Sequence, residues 1–581
     1  MSIPADVVKL TGKLKNPLQQ FVFICYNFYI MHVLNLDEKG DESIMIENIK
    51  ADLVFKNGHV LTVDKGDTIH EALAVTGNKI IFVGSGKDIA DYINEKSEVI
   101  DLKGRSLIPG FIDSHLHTAI LGANSLAIDC RSPGVSSIGD IKKLIAEVAK
   151  KTPKGVWIRG WGYDHSKLAE QRHPTKWDID EAAPDNPVIL TRVCAHMSVH
   201  NSKSLELLQI NDDSVACPGG EIERLDGKVT GLLKENEHMA AMKIAKLSMD
   251  ELVGAIGAAN DMLIKEGITS VHDSGGYGPD QMRAVLSAIK EGKLKIRFYA
   301  MIFSFVDNLQ FIDSLISTGL YTTFGDESFK LGPVKLMIDG SSSGPTAATL
   351  EPYASNPDSR GILSMEQEAV DDVIARAHAN GWQVTCHAVG DRAITVIINA
   401  IEKALKKYPR KNHRHRIEHC AIMNDELFKR VKENGIVPIP QPIFLYEFGD
   451  GYMRNYGRER AYRMFPSGSF AEKGIIAAGS SDCPITFSNP LLNMQLAMTR
   501  KTQSGQVINP DECVSVKQAL RMFTYNGAYA SFEEDIKGSL EVGKLADMAV
   551  LSDSLFDTPA DKVRDLKVDM TYIDGRLVYE R

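Results

Sequence analysis

From Phe111 onward, short apolar runs alternate with longer amphipathic stretches along most of the chain. Apolar runs of strand length that alternate with helix-length stretches are typical of β/α units. Two of the amphipathic stretches, 365–380 and 391–406, have the length of a helix. The strand-like runs are 111–117, 268–276, 295–303, 333–341, 382–390, 415–420, 436–442 and 475–484. This series predicts an α/β fold, a (β/α)8 TIM barrel.

The two ends of the chain have a different pattern, in which short alternating runs are separated by turn signals. Residues 51–107 contain the hairpin signal Asn57-Gly58, and the last residues contain Asp574-Gly575. Each block is too small to bury a core alone. We therefore expect the two blocks to pair into one small β-sandwich.

These patterns predict the domain organisation. The domains are an N-terminal extension of unclear role at 1–48, a composite sandwich at 49–107 and 535–581, and a catalytic barrel at 108–534 with an insertion at about 125–260. The extension contains an apolar run that is short for a membrane span and is interrupted by polar residues. We favour a non-essential extension, because Met45 opens a β pattern directly. A signal anchor is the alternative.

Composition and charge narrow the possible partners. The chain has 581 residues, 44% of them hydrophobic, and a formal net charge of −10. This charge argues against nucleic-acid binding. The eight cysteines are scattered without a Cys-x-x-Cys pair, which favours reduced thiols in a cytoplasmic protein. We expect a small-molecule substrate and no stable membrane association, with a homodimer as a candidate assembly.

Polar residues stand where the predicted strands end, and barrels of this kind place their active sites there. His115 and His117 are one residue apart, so in a strand they project to the same side. The complete set is His115, His117, Lys335, His387, His419 and Asp482. Imidazole and carboxylate groups bind zinc and similar divalent ions. The sequence therefore predicts a catalytic site with one or two divalent metal ions, with zinc as the expected metal.

The segments PGFIDSHLH, HAVGDRA, IEHC and AGSSDCP resemble the amidohydrolase superfamily of metal-dependent hydrolases. Three further segments, at 160–180, 194–207 and 334–344, are similar to the family-3 amidohydrolases, the group that contains N-substituted formamide deformylases. The resemblance extends from about residue 50 to the end of the chain.

The resemblance implies a role for each residue of the cluster. It implies that His115, His117 and Asp482 bind the more buried metal, and that His387 and His419 bind a second. Lys335 stands where many relatives have a carboxylated lysine that bridges two metals. The implied reaction is hydrolysis of an amide, formamide or cyclic amide C–N bond by metal-activated hydroxide. Asp482 is the expected general base.

Other polar residues are weaker candidates. Asp164, His196 and His200 lie in the insertion and are predicted to contact the substrate, although they can equally belong to the insertion's own core. Asp273 and Asp339 are expected to support the metal ligands. His413 and His415 precede the sixth strand, and we expect them to be exposed.

Alternative functions remain at this stage. A heterocycle deaminase of the same superfamily typically has a glutamate three residues after the fifth-strand histidine, but the residue here is Gly390. An ester, lactone or phosphotriester hydrolase would use the same metal chemistry. A non-enzymatic scaffold would be expected to lose ligands, and the sequence has the full set.

Overall fold

The computed structural model describes residues 50–193, 197–217 and 220–581, so the apolar run 21–36 and the candidate His196 lie outside the described residues. Its centre is a sheet of seven parallel strands. In chain order the strands are Phe111–Leu116, Ile268–Asp273, Arg297–Ile302, Phe329–Met337, Val384–Ala388, Arg416–His419 and Val437–Ile439. Each strand pairs with the next one along the chain. The sheet curves into a nearly closed barrel, which confirms the predicted fold class.

The eighth predicted strand, 475–484, is not a regular strand, and this part of the prediction is wrong in detail. The segment nevertheless occupies the gap between the last and first strands. Ala478 N donates to Pro438 O at 3.0 Å, and Ser114 N donates to Gly479 O at 3.2 Å. These isolated hydrogen bonds close the barrel without forming a continuous ladder.

Amphipathic helices surround the barrel. In the helix Asp391–Lys407 the buried residues Ile394, Ile397, Ile398 and Ile401 recur at the spacing of one helical face. The helices next to the barrel strands are Thr118–Leu126, Met249–Ile264, Pro279–Lys290, Asn308–Ser317, Gln367–Ala379, Asp391–Lys407, Asp425–Glu433 and Ser467–Glu472. The later helices are Ile443–Tyr456, Arg458–Tyr462, Pro490–Thr499, Val516–Met522 and Tyr525–Ala530, with a 3-10 turn at Pro510–Glu512. No helix in the described ranges is long and apolar enough to cross a membrane.

A second sheet lies within the long connection between the first and second barrel strands. Its strands are Ile128–Asp129, Ile158–Tyr163, Val188–Arg192, Met197–His200, Gly220–Leu225 and Lys228–Glu235. The first three are parallel to one another, and the others are antiparallel to their neighbours. Its helices are Ile138–Ala149, Lys176–Asp180, Ser202–Leu208 and Asn236–Ile244, with a 3-10 turn at His165–Lys167. The insertion has a hydrophobic core of its own.

The ends of the chain form two further sheets. One contains Leu53–Lys56, Ala72–Thr76, Lys79–Gly84 and Glu98–Asp101; the other contains His59–Leu61, Ile69–His70, Ser106–Pro109, Met548–Leu551, Val568–Ile573 and Arg576–Glu580. Short 3-10 turns stand at Asp88–Tyr92 and Ala560–Asp565. Ile108 pairs with Ala549, so N-terminal and C-terminal strands share one sheet. Side chains of both sheets meet in one core, where Phe55 contacts Tyr572 with ring centroids 5.1 Å apart. The predicted sandwich of both chain ends is therefore present.

A buried ion pair connects the sandwich to the barrel. Arg297, on the third barrel strand, donates from Nε to Asp547 Oδ2 at 2.5 Å and from Nη2 to Asp547 Oδ1 at 2.8 Å. Asp547 directly precedes the strand Met548–Leu551. Two parallel hydrogen bonds between a guanidinium and a carboxylate fix orientation as well as distance.

Candidate metal centre

His115, His117 and Asp482 meet at the carboxyl end of the barrel. The Nε2 atoms of His115 and His117 lie 3.3 Å and 3.5 Å from Asp482 Oδ1. One ligand atom from each of the three residues lies within 4.8 Å of the others, and all three side chains are buried. His115 lies on the first strand, whereas His117 directly precedes the helix Thr118–Leu126. Both histidines lie beside the same carboxylate, although the strand ends at Leu116 and includes only His115.

The backbone fixes Asp482 beside the first strand. Asp482 N donates to His115 O at 2.7 Å, and His117 N donates to Cys483 O at 2.8 Å. One residue earlier, Ser481 Oγ donates to Asp113 Oδ2 at 2.5 Å. These contacts join the closing segment to the strand that carries the histidines.

His387 and His419 extend the cluster. Their ring centroids are 4.3 Å apart, and the centroid of His419 is 5.0 Å from that of His115. Gln441 Nε2 donates to Ile439 O at 2.9 Å, so Gln441 Oε1 is the atom that accepts the His419 Nδ1 proton, also at 2.9 Å. His419 Nε2 is buried without a hydrogen-bond partner among the described residues.

Lys335, from the fourth strand, is buried against the same group. Its Nζ lies 3.4 Å from His115 Nε2 and 5.2 Å from the centroid of the Phe303 ring. Burial lowers the pKa of Lys335, while the charges of Glu418 and Asp482 act in the opposite direction. A lysine whose pKa is lowered is more easily deprotonated, which both metal ligation and carboxylation of its nitrogen require.

Each histidine of the cluster gives one ring proton to an acceptor outside it. A carboxylate or a carbonyl oxygen can only accept, so in the neutral imidazole the other nitrogen of each ring carries a lone pair. His115 Nδ1 donates to Glu418 Oε2 at 2.5 Å, His117 Nδ1 to Gly275 O at 2.9 Å, and His387 Nε2 to Gly340 O at 3.2 Å. His419 follows the same rule through Gln441. External partners of this kind orient histidines that bind metals.

This pattern is a test of whether the residues fit a metal. The Nε2 lone pairs of His115 and His117 face a carboxylate oxygen of Asp482 with no proton between them. Three electron-rich atoms that converge in a buried space are stabilised by a cation. The donor set of nitrogen and carboxylate oxygen suits zinc.

Asp273 and Asp339 hold the loops around the cluster. Asp273 accepts from Thr118 N at 2.8 Å and from Gly275 N at 3.0 Å, and so fixes the carbonyl that orients His117. Asp339 accepts from Gly390 N at 2.9 Å and from two other backbone N–H groups after the fourth and fifth strands. Burial raises the pKa of Asp339 to about 7.

Sequence reasoning missed two buried charged residues, Arg416 and Glu418. Both lie on the sixth strand with no exposed surface. The signal was present: in a strand, residues two apart face the same side, and a cation and an anion at this spacing in an apolar run indicate a buried pair. Gln441, which orients His419, was also missed, since nothing in IVPIPQP distinguishes a ligand partner from a loop amide.

The insertion candidates occupy different environments. Asp164 caps the 3-10 turn His165–Lys167 and accepts from Arg192 Nη2 at 2.9 Å. His200 is fully buried, and its two nitrogens contact Ser198 Oγ at 2.8 Å and Ser204 Oγ at 2.7 Å. The structure thus places His200 inside the insertion. Neither residue is among the direct contacts of the metal cluster in the described part of the chain.

The prediction that His413 and His415 are exposed is wrong. His413 is 4% exposed and His415 is 0% exposed. His415 accepts from Val384 N at Nδ1 and contacts His378 Nδ1 through Nε2 at 2.9 Å. These histidines form a hydrogen-bonded network with a helix that is distant in the sequence, and therefore they are buried.

A TIM barrel that gathers histidines, a lysine and an aspartate at its carboxyl end has the architecture of a metal-dependent hydrolase. The chain belongs to the Amidohydrolase family, which matches residues 98–579. It is an enzyme of the class that hydrolyses carbon–nitrogen bonds other than peptide bonds.

Individual relatives agree with this assignment. The chain is 29% identical to the N-substituted formamide deformylase of Arthrobacter pascens, over 91% of this chain and 98% of the relative. It is 30% identical to the protein LONG AFTER FAR-RED 3 of Arabidopsis thaliana, over 91% and 92% of the two chains. A metal-dependent hydrolase of Pyrococcus horikoshii OT3 superposes with a TM-score of 0.74 at 27% identity, covering 88% of this chain and 99% of that structure.

Proposed function

We propose that the protein hydrolyses the C–N bond of a small N-substituted amide or formamide, with zinc held by His115, His117 and Asp482. The observation that carries this proposal is the convergence of the two Nε2 lone pairs on Asp482 Oδ1 without a proton to share. His387 and His419 offer their unprotonated nitrogens to a second ion. Lys335, if carboxylated on Nζ by carbon dioxide, would supply two oxygens that could hold both ions.

When bound, the metal polarises the substrate carbonyl and makes a water molecule acidic enough to attack it near neutral pH. Asp482 accepts a proton from the attacking water, because its carboxylate lies beside both histidines that would hold the metal. The water oxygen adds to the carbonyl carbon, the C–N bond breaks, and Asp482 returns the proton to the departing nitrogen. The products are a carboxylic acid and an amine, so atoms and charges balance.

Apolar side chains around the site support an N-substituted substrate. Phe305 is 44% exposed and stacks on His117, with ring centroids 6.2 Å apart. Met337 and Ile485, which follow Lys335 and Asp482 by two and three residues, are 39% and 57% exposed. Exposed apolar side chains close in sequence to the polar groups of the site suit a substrate with an apolar substituent. The relative from Arthrobacter pascens is named for such substrates.

Asp164 and His196 are retained as proposed substrate contacts from the insertion. Asp164 is partly exposed and paired with Arg192, so together they offer a polar surface. For His200 the geometry favours a structural role, because both of its nitrogens bond to neighbouring serines.

The competing functions predict different substrates. A deaminase would need a carboxylate near Gly390, but a Cβ atom at that position would lie 1.9 Å from Ala348 O. An ester or lactone hydrolase would use the same residues. Paired N-alkyl amides and esters with identical acyl groups distinguish these reactions.

The substitution Asp482→Asn tests the mechanism. It preserves side-chain size but removes the proton acceptor, and turnover should fall by about 10²–10⁴-fold. The assay is hydrolysis of N-alkyl and N-aryl formamides by zinc-loaded protein, with metal content measured on the same samples. Removal of the metal by a chelator should abolish turnover of the wild-type protein, and added zinc should restore it. Near-wild-type turnover by a metal-loaded Asp482→Asn protein would refute the role of Asp482.

A further inference from the structure

We propose that Glu418 is a positioning residue that fixes the orientation and the protonated nitrogen of His115, and that Arg416 and Thr385 hold Glu418 in place for this task. This inference rests on the proposed metal-dependent function. It adds a residue outside the ligand cluster on which the affinity for the metal depends.

The contact between His115 and Glu418 determines which nitrogen can bind a metal. His115 Nδ1 lies 2.5 Å from Glu418 Oε2, and both side chains are shielded from solvent. An ionised carboxylate only accepts hydrogen bonds, so the imidazole proton must be on Nδ1. The lone pair of Nε2 is thereby directed at Asp482 Oδ1, 3.3 Å away.

Hydrogen bonds from other residues hold the Glu418 carboxylate in one position. Arg416 donates from Nε to Glu418 Oε1 at 2.9 Å and from Nη2 to Oε2 at 3.1 Å. Thr385 Oγ1 donates to Oε1 at 2.6 Å. Together with His115, these donors give the carboxylate four hydrogen bonds, two on each oxygen.

Arg416 connects this pair to two more barrel strands. Its Nη2 also donates to Ser114 O at 2.6 Å, and its Nη1 donates to His272 Nδ1 at 2.9 Å. The first, second, fifth and sixth strands are therefore joined through one buried guanidinium and one buried carboxylate. Such a network holds a ring in one orientation more rigidly than a single hydrogen bond would.

Glutamine at position 418 would disrupt this arrangement without changing the volume of the side chain. An amide has one oxygen, so it cannot accept at both ends. If the amide nitrogen faces His115, it donates to Nδ1. The imidazole proton must then be on Nε2, which can no longer bind a metal. If the amide nitrogen instead faces Arg416 and Thr385, its N–H groups meet the hydrogen-bond donors of these two residues, and no acceptor lies between them.

The experiment measures zinc affinity of the full chain by competition with a chelator, independently of turnover. Glu418→Gln should bind zinc about 10–100-fold more weakly than the wild-type protein. The visible absorption bands of the cobalt-substituted protein should also change. Glu533→Gln is the matched control, because Glu533 is a buried carboxylate paired with Lys330 and Lys537. The control should retain the affinity and the spectrum.

A milder pair of variants decides the question if Glu418→Gln does not fold. Thr385→Val removes one donor to the carboxylate, whereas Thr385→Ser keeps the hydroxyl. Zinc affinity should fall in the valine variant only. Unchanged zinc affinity in Glu418→Gln overturns the positioning role while the proposed function stands. If Glu418→Gln does not fold, unchanged zinc affinity in Thr385→Val overturns it in the same way. A wild-type protein without zinc affinity would overturn the proposed function itself.

Discussion

Two glycines on neighbouring helices should respond to the same substitution with opposite signs. Gly122 lies in the helix Thr118–Leu126, which begins directly after His117 and packs on the helix Met249–Ile264. A Cβ atom at Gly122 would lie 1.7 Å from Ala255 O and 2.9 Å from Ala255 Cα. Gly254 lies on the second helix, and a Cβ atom there would have no atom within 4 Å.

The magnitudes follow from helix propensity and packing. Alanine in place of glycine favours a helix interior by about 1 kcal/mol. Gly254→Ala should therefore be more stable than the wild-type protein by most of this amount. At Gly122 the added methyl group must push two backbones apart, and overpacking of this kind costs about 1–3 kcal/mol, and more when only the backbone can yield. Because the clash is with backbone atoms, its cost should reach the upper end of this range, about 3 kcal/mol, and Gly122→Ala should be destabilised by at least about 2 kcal/mol after the gain in propensity.

Thermal or urea unfolding of the zinc-loaded proteins measures both effects. Because His117 precedes the helix, Gly122→Ala should also weaken zinc binding, whereas Gly254→Ala should not. The reasoning is refuted if Gly122→Ala is as stable as the wild-type protein, or if the two variants shift stability in the same direction.

Three further predictions concern other parts of the chain. Burial lowers the pKa of His413 from 6.5 to about 4, so below pH 6.5 the unfolded state binds more protons than the folded state and stability falls as the pH is lowered. The wild-type protein should therefore lose about 2 kcal/mol more stability between pH 7.5 and 5 than His413→Gln does. An equal loss in both proteins would refute this. Lys335→Ala should lose the second metal and regain part of its activity with short carboxylic acids, whereas full occupancy of two metals would count against the bridging role. A chain that starts at Met45 should remain folded and active. Circular dichroism measures the folding and a hydrolysis assay measures the activity, and loss of either would contradict this prediction.

The barrel was predictable because its strands and helices have distinct periods. The helix Asp391–Lys407 repeats its apolar face without interruption, and the strand Val384–Ala388 is a short apolar run. The closing segment at 475–484 has strand-like composition, but it turns after two or three pairings to bring Asp482 to the site. The sheet of the insertion was not predicted, since strands as short as Ile128–Asp129 leave no periodic signal.

The clustering of the polar residues at the strand ends was predictable from the sequence, but the contacts that support the cluster were not. Glu418 is 303 residues from His115 in the sequence, and only the closure of the barrel brings them together. The burial of His415 has the same origin, because its partner His378 lies on a separate helix. A polar residue in an apolar run indicates that it has a buried hydrogen-bonding partner, but the run does not show which residue that partner is.

Backbone conformation explains why adjacent residues can serve one site. In the sixth strand, alternation sends Arg416 and Glu418 to the barrel interior and Ile417 to the surrounding helices. His419 should then face outward, but its φ is 69°, and this left-handed turn brings its ring within 5.0 Å of that of His115. Asp482 has a φ of 59° and is held by its hydrogen bond to His115 O. Glycine adopts such angles without strain but has no side chain to bind a metal. The strain at these two positions is therefore a consequence of placing these side chains where a regular strand would not bring them.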